Sequence, residues 1–275
     1  MPEKITIYSE NNDFQHLEVL KRNRLKRTQC SEFIVEGVKP IELLIQNKWD
    51  ILAFIYSKDK LSDWAKNILK DSTAKKHYEL PLNLMEKLSD KEEFSELIAL
   101  VKIPEDDLSR IKLTKDVINN LLIVVFDRAS SPGNLGTMIR SCDSFGVNGL
   151  IITGHSVDIY DPKTISSSIG TLFSLPVLRL PSDKEVLEYV KDLEKEFGLI
   201  QIVGTSAKAQ KEIYSYDFTR PTILLIGNET TGLSSNYKTM SNDLVNIPMM
   251  GSASSLNVAN ATSIMLYEIS RQRKA

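Results

Sequence analysis

The chain has 275 residues, 42% hydrophobic and 25% charged, the make-up of a globular protein of one large or two ordinary domains. It contains no run of about 18 apolar residues, so no membrane-spanning helix is expected. A net charge of −2 and a pI near 6.0 exclude recognition of a polyanion by overall charge, leaving only local basic patches for that purpose. The opening segment MPEKITIYSENND lacks an apolar signal stretch, and Cys30 and Cys142 do not read as a disulfide framework, so a cytoplasmic location is expected.

Glycine usage divides the chain. Of its twelve glycines, only Gly37 precedes Gly133. The first region begins with a basic helix expected over Asp13 to Arg27. Short strands and helices follow: EFIVEG, a helix through Ile41 to Ile45, ILAFIYS and ELIALVKI, the pattern of a small α/β domain. A polar stretch from Pro104 to Asn120 is the expected linker. It sets the domains at 1–110 and 111–275. In the second region LLIVVFD, GLIIT, FSLPVL, LIQIVG and ILLIGN are apolar runs without alternation, as strands covered on both faces require. Helices are expected from Asn134 to Phe145 and from about Ser255 to Arg271, where Leu256, Ala259, Ile264, Met265, Leu266 and Ile269 approximate one apolar stripe. Alternating strand and helix predicts a parallel-sheet α/β domain with its ligand at the carboxyl ends of the strands.

The usual uses of such a sheet are missing. There is no G-x-G, hence no dinucleotide fingerprint, and no G-x-x-x-x-G-K-[ST] phosphate loop. H-E-x-x-H, C-x-x-C and G-x-S-x-G are absent too, and His16, His77 and His155 are too dispersed to suggest a metal site. Three polar clusters instead follow apolar strands. S-P-G-N-L-G-T-M-I-R places Asn134 and Arg140 at a helix start and in its second turn. G-N-E-T-T-G-L-S puts Asn228 and Glu229 just past a strand end. I-P-M-M-G-S-A-S-S-L-N-V-A brings Ser254 or Ser255 to cap the last helix, with Asn257 in its first turn. Singly each has a plainer explanation: Asn134 as a cap, Arg140 as a surface residue, Glu229 as a solvated loop carboxylate, Ser255 and Asn257 as capping groups. Their joint occurrence in order, each after its own strand, points to one crevice.

These three motifs resemble those of the SpoU/TrmH family of RNA ribose 2′-O-methyltransferases, within the SPOUT superfamily, over residues 120–275. Residues 12–105 resemble, more loosely, the ribosomal-protein-like substrate-binding domain of that family, through R-x-x-x-x-x-F-I-V-E-G. The resemblance implies an α/β fold with a deep trefoil knot, a homodimer, and S-adenosylmethionine held bent, mostly by backbone groups. Thr205, Gly227, Asn228, Ile247, Met249 and Leu256 occupy its cofactor positions, and Asn134, Arg140, Glu229, Ser255 and Asn257 its catalytic ones. In the family the arginine is the proposed base. A guanidinium is effectively always protonated, so a role for Arg140 in holding an RNA phosphate and stabilising the developing alkoxide, with Glu229 fixing it and Asn134 orienting the loop, is physically preferable. Methyl transfer itself mainly needs the ribose 2′-oxygen aligned with the sulfonium methyl. One departure is N-E-T-T-G-L, where many members carry glycine after the glutamate; a stiffer loop is expected.

The segment KRNRLKR, Lys21 to Arg27, holds five cations in seven residues. With the family accepted, Lys21, Arg22, Arg24 and Arg27 become the expected RNA contacts. Trp49 and Trp64 are assigned to packing. Ribosomal RNA is the expected substrate, ahead of transfer RNA. The competing readings are a catalytically silent RNA-binding or ribosome-assembly factor of the same fold, and an α/β enzyme using a nicotinamide or flavin cofactor, which the missing G-x-G opposes.

Overall fold

The structure, a computed structural model, describes residues 2–89 and 93–274. In chain order the first elements are β1 (Glu3–Thr6), α1 (Asn12–Arg22), α2 (Arg24–Cys30), β2 (Glu32–Glu36), α3 (Val38–Gln46), β3 (Ile51–Tyr56), α4 (Asp63–Asp71), β4 (Lys76–Glu79), α5 (Leu82–Leu88) and β5 (Leu97–Lys102). Then come α6 (Lys115–Ile118), β6 (Leu122–Asp127), α7 (Pro132–Ser144), β7 (Gly149–Thr153), α8 (Pro162–Ser168), β8 (Val177–Leu180), α9 (Asp183–Phe197) and β9 (Gln201–Thr205). The chain ends with β10 (Lys211–Glu212), β11 (Thr222–Ile226), α10 (Ser235–Met240), β12 (Asp243–Asn246) and α11 (Val258–Lys274). They form two compact units, 1–105 with 160–174, and 106–159 with 175–275.

The first unit is a five-stranded sheet in the order β1-β4-β3-β5-β2, parallel across β1, β4 and β3 and antiparallel where β5 meets its neighbours. Phe14, Leu17 and Leu20 of α1 and Leu84, Met85 and Leu88 of α5 pack with Ile55, Ile98 and Leu100 of the sheet. The single basic helix expected over Asp13 to Arg27 is two helices broken at Asn23. That residue takes φ −121° and ψ 107°, donates its N–H to Val19 O and accepts from Lys26 N through its side chain, ending α1 and capping α2. An asparagine amide that competes for backbone groups explains the break.

The break redirects Arg27. Its guanidinium is buried, donates to Leu20 O at 2.6 Å and Lys21 O at 3.0 Å, and lies 3.6 Å from Asp161 Oδ2. Lys21 is buried as well. Both were expected to face RNA, and the structure corrects this: at the junction of two short helices the Arg27 guanidinium satisfies interior carbonyls and Lys21 is covered, whereas Arg22 and Arg24 remain exposed. Arg22 also lies 3.3 Å from Glu18 on its own helix.

Residues 160–174 belong to this unit although they follow β7. Trp49 donates its indole N–H to Phe173 O at 2.9 Å and packs edge-on against the Phe173 ring, and Phe33 lies 4.5 Å from the Tyr160 ring. Trp49 is thus a packing residue. The half-buried Trp64 donates to Glu42 Oε1. The FSLPVL run is correspondingly split: Phe173 serves this core, and only Val177–Leu180 forms a strand.

The second unit is a seven-stranded sheet in the order β10-β12-β9-β11-β6-β7-β8, parallel at every pairing. Residues expected to form a linker are part of this unit. Ile111 and Ile118 are buried in its core with Leu121, Ile123, Val190 and Ile223, and Leu108 and Leu113 pack against it. Apolar side chains spaced among Asp and Lys escaped a reading based on average polarity. Ile111 also explains Gly149, where a Cβ would sit 2.6 Å from Ile111 Cδ1. Among the described residues no helix is long and apolar enough to cross a membrane.

Candidate active site

Strand order builds the site. The chain runs outward from β6 through β7 to β8, then returns to the other side of β6 for β11, β9 and β12. That reversal leaves a crevice at the carboxyl ends of the strands. Asp127, Thr205, Ile226 and Asn246, the last residues of β6, β9, β11 and β12, therefore lie along one sheet edge, although nearly 120 residues separate the first from the last.

A cavity of about 390 Å3 opens there, within the range of small-molecule clefts. One wall is apolar, from Ile226, Leu233, Val245, Ile247, Met249, Leu256, Val258 and Met265; the rim carries Thr205, Ser206, Asn228, Glu229, Asn246 and Ser255, with Lys208 and Lys238. Gly227 makes the wall. A Cβ there would lie 2.2 Å from Leu233 N and 2.3 Å from Gly232 C, so the loop folds back on itself only because that position has no side chain. Gly232 completes the turn with φ +66°. Asn228 Oδ1 accepts from Thr230 N at 2.9 Å and Thr231 N at 3.1 Å, closing the loop from inside.

A polar chain crosses the rim. Glu229 Oε2 accepts from Ser130 Oγ at 2.5 Å, and Glu229 Oε1 from Asn134 Nδ2 at 3.2 Å. Asn134 Oδ1 in turn accepts from Asn257 Nδ2 at 3.1 Å. Helix starts make this arrangement. Ser131 caps α7, with Pro132 in its first turn, and this frees the Asn134 side chain. Asn257, not Ser254 or Ser255, caps α11, accepting from Ala259 N at 2.9 Å. The helix begins at Val258, later than expected, so Ser255 is left on the cavity wall.

Of the expected site residues, Thr205, Gly227, Asn228, Glu229, Ile247, Met249, Ser255 and Leu256 all line the cavity, and Asn134 and Asn257 join it through Glu229. Arg140 is exposed on α7. Among the described residues the side-chain partners of the Glu229 carboxylate are Ser130, Asn134 and Asn228; Arg140 is not one of them. The expected clamp of Glu229 on Arg140 is therefore not formed within the chain. Sequence reading missed Asp127, which ends β6, and Arg128 and Ser130, which follow it. Their only signal was position, at or just after the end of a buried strand. Cys142 is buried in α7, and burial pushes its thiol pKa up, which removes it as a nucleophile.

An all-parallel sheet with a partly apolar pocket at the carboxyl ends of β9, β11 and β12, walled by a glycine-dependent loop, defines a ligand-binding α/β enzyme domain outside the G-x-G class. The model of the SpoU rRNA methylase family matches residues 121–267, and that of the SpoU L30e-like domain matches residues 11–99. The chain is 44% identical over 268 residues to the 23S rRNA (uridine(2479)-2′-O)-methyltransferase of Streptomyces viridochromogenes, covering 97% of this chain and 92% of that protein. It is 27% identical over 247 residues to the 23S rRNA (guanosine(2553)-2′-O)-methyltransferase RlmP of Bacillus subtilis, covering 89% and 90%. The crystal structure of the SpoU methyltransferase AviRb from Streptomyces viridochromogenes, in complex with the cofactor AdoMet, matches with a TM-score of 0.87 at 43% identity, over 96% of this chain and 99% of that one. The chain belongs to the SpoU rRNA methylase family.

Proposed function

We infer that this protein methylates a ribose 2′-hydroxyl in ribosomal RNA, using S-adenosylmethionine bound in the cavity at the ends of β9, β11 and β12. The observation that carries this reading is the convergence of the cavity wall with the Ser130–Glu229–Asn134–Asn257 chain, in a pocket that suits the cofactor's mixed character. Ile247, Met249, Leu256 and Met265 offer an apolar surface to an adenine ring, and Thr205, Asn228 and Asn246 offer polar groups beside it. The Glu229 carboxylate favours a cationic group nearby, and Lys208 or Lys238 a carboxylate. When bound, the cofactor supplies an electrophilic methyl group that needs alignment more than activation.

The protein's residues then have distinct tasks. Asn257 and Ser130 hold Asn134 and Glu229 in one orientation, so the site need not reorganise when the RNA enters. Arg140, exposed and always charged, holds the phosphate beside the target ribose and stabilises the forming alkoxide. Its reach to the site comes from a homodimer. In support, α11 leaves Ile264 and Tyr267 exposed, with Phe145 edge-on to Tyr267, and such a face favours association. The trefoil knot implied by the family belongs to this reading, with the segment between β12 and α11 as the threaded stretch. We assign RNA capture to the N-terminal domain through Arg22 and Arg24. A cytoplasmic location goes with the substrate.

The direct test is mass-spectrometric mapping of ribose methylation in ribosomal RNA from cells with and without the protein. One methyl group should be lost at a ribose; an identical modification map, together with no calorimetric binding of S-adenosylmethionine, would leave an RNA-binding factor without activity. Arg140→Lys should lower kcat by about 10²-fold, because a lysine cannot form the bidentate phosphate contact; near wild-type turnover would remove the phosphate-holding role. Replacing both Arg22 and Arg24 with alanine should weaken RNA binding by roughly 5- to 20-fold, steeply dependent on salt, and leave cofactor affinity unchanged. Equal RNA affinity in filter binding would take this helix out of the interface.

A further inference from the structure

Arg128 follows directly on β6 and has no part in the three motifs. It adopts φ +57°, left-handed backbone that a residue with a side chain rarely takes. The conformation is held from several sides. Arg128 N donates to Thr153 O at 3.0 Å, and Arg128 O accepts from Asn228 Nδ2 at 2.8 Å. The side chain makes a fork. Nε and one terminal nitrogen bind the two oxygens of the buried Asp127 carboxylate, both at 2.9 Å. That same terminal nitrogen reaches Gly232 O at 2.9 Å, and the other reaches Thr231 Oγ1 at 3.2 Å. Asp127 completes the circuit by accepting from Ser234 N at 2.9 Å. Below it, the buried Tyr237 hydroxyl donates to Thr153 Oγ1.

The bonds that involve Asn228, Thr231, Gly232, Ser234 and Tyr237 cross from the end of β6 or β7 to the segment 228–237. The Gly227–Leu233 loop is a wall of the cavity and carries Glu229, yet its internal bonds set only its shape. Its position against the sheet needs an external tie. We propose that Arg128 is a positioning residue, which pins the 228–233 loop to the buried Asp127 carboxylate and thereby sets both the cofactor wall and the placement of Glu229. This rests on the cofactor reading given above. Only a planar guanidinium can satisfy the carboxylate, a carbonyl and a hydroxyl at once. The left-handed backbone is the strain that geometry tolerates, and its occurrence beside a functional loop fits such a role.

The test uses Arg128→Lys, which keeps a cation for Asp127 but cannot span to Gly232 and Thr231, together with Thr231→Val, which removes one bond of the fork. Calorimetry with S-adenosylmethionine should give a Kd raised by about 10-fold for Arg128→Lys and about 3-fold for Thr231→Val, as expected for losing charge-assisted and ordinary hydrogen bonds. KM for RNA should stay within twofold. Amide exchange across residues 228–233 should accelerate in both variants without added cofactor. A lowered Tm with unchanged Kd and unchanged exchange in this loop would make Arg128 merely structural and overturn the proposal. If the wild type itself fails to bind S-adenosylmethionine, the functional reading falls, and loop exchange alone then decides the role of Arg128: faster exchange in the variants sustains the tie and unchanged exchange ends it.

Discussion

Replacing Gly227 with alanine should abolish S-adenosylmethionine binding, with Kd rising by more than about 100-fold and methylation lost with it. An added methyl group would lie 2.2 Å from Leu233 N, 2.3 Å from Gly232 C and 2.8 Å from Gly232 Cα. All three are backbone atoms, which have no rotamer to retreat into. The return limb must move away, and with it go the Asn228–Gly232 bridge and the Arg128 bonds to Thr231 and Gly232. Overpacking of this kind costs about 1–3 kcal/mol in stability, which a domain of this size survives. The variant should therefore fold, show a modestly lowered Tm and bind no cofactor. A Kd within threefold of wild type in calorimetry would mean that the loop can open without harm, and that the cavity described here is not where the cofactor sits.

The largest effect on stability is expected at Arg273, near the far end of α11. Its half-buried guanidinium donates to Phe218 O at 2.9 Å, Asn120 O at 2.7 Å, Leu121 O at 3.1 Å, Arg220 O at 2.8 Å and Thr222 Oγ1 at 3.2 Å. These acceptors stand at the starts of β6 and β11, opposite the cavity end of the same strands. One side chain thus ties the last helix to the two central strands. Burial pulls its pKa down to about 10, so it keeps its charge at neutral pH and the tie does not titrate there. Arg273→Ala strands several carbonyls in a partly desolvated setting and should cost about 2–4 kcal/mol, a fall in Tm of roughly 5–15 °C for a protein of this length. Arg273→Lys should recover little, because an ammonium lacks the planar fork. Thermal unfolding followed by circular dichroism measures both. An Arg273→Ala protein as stable as wild type would show that helix packing alone retains α11.

Several parts of this molecule were legible before any coordinates. The apolar runs from Leu121 to Asp127, Gly149 to Thr153 and Ile223 to Asn228 read as doubly covered strands, and they supply central strands of a parallel sheet. A run of side chains that is apolar on both faces needs only local inspection. The three strand-end motifs are likewise short and contiguous, and it was their resemblance to the SpoU/TrmH family that named cavity residues such as Gly227, Ile247 and Met249. Local features also misled. KRNRLKR looked like one charged face, but Asn23 breaks the helix and Arg27 turns inward to Leu20 O. The stretch from Pro104 to Asn120 looked like a linker because polar residues outnumber Ile111 and Ile118, which nonetheless enter the core.

Residue patterns within a few turns or a single strand carried the fold class, because burial and backbone geometry act over that range. The tertiary structure alone decided that Asn257 reaches Asn134, that residues 160–174 return to the first unit, and that Arg128 links Asp127 to Thr231 and Gly232. Each depends on groups far apart in the chain meeting at 3 Å or so, and strand order, which no local period encodes, is what brings them together.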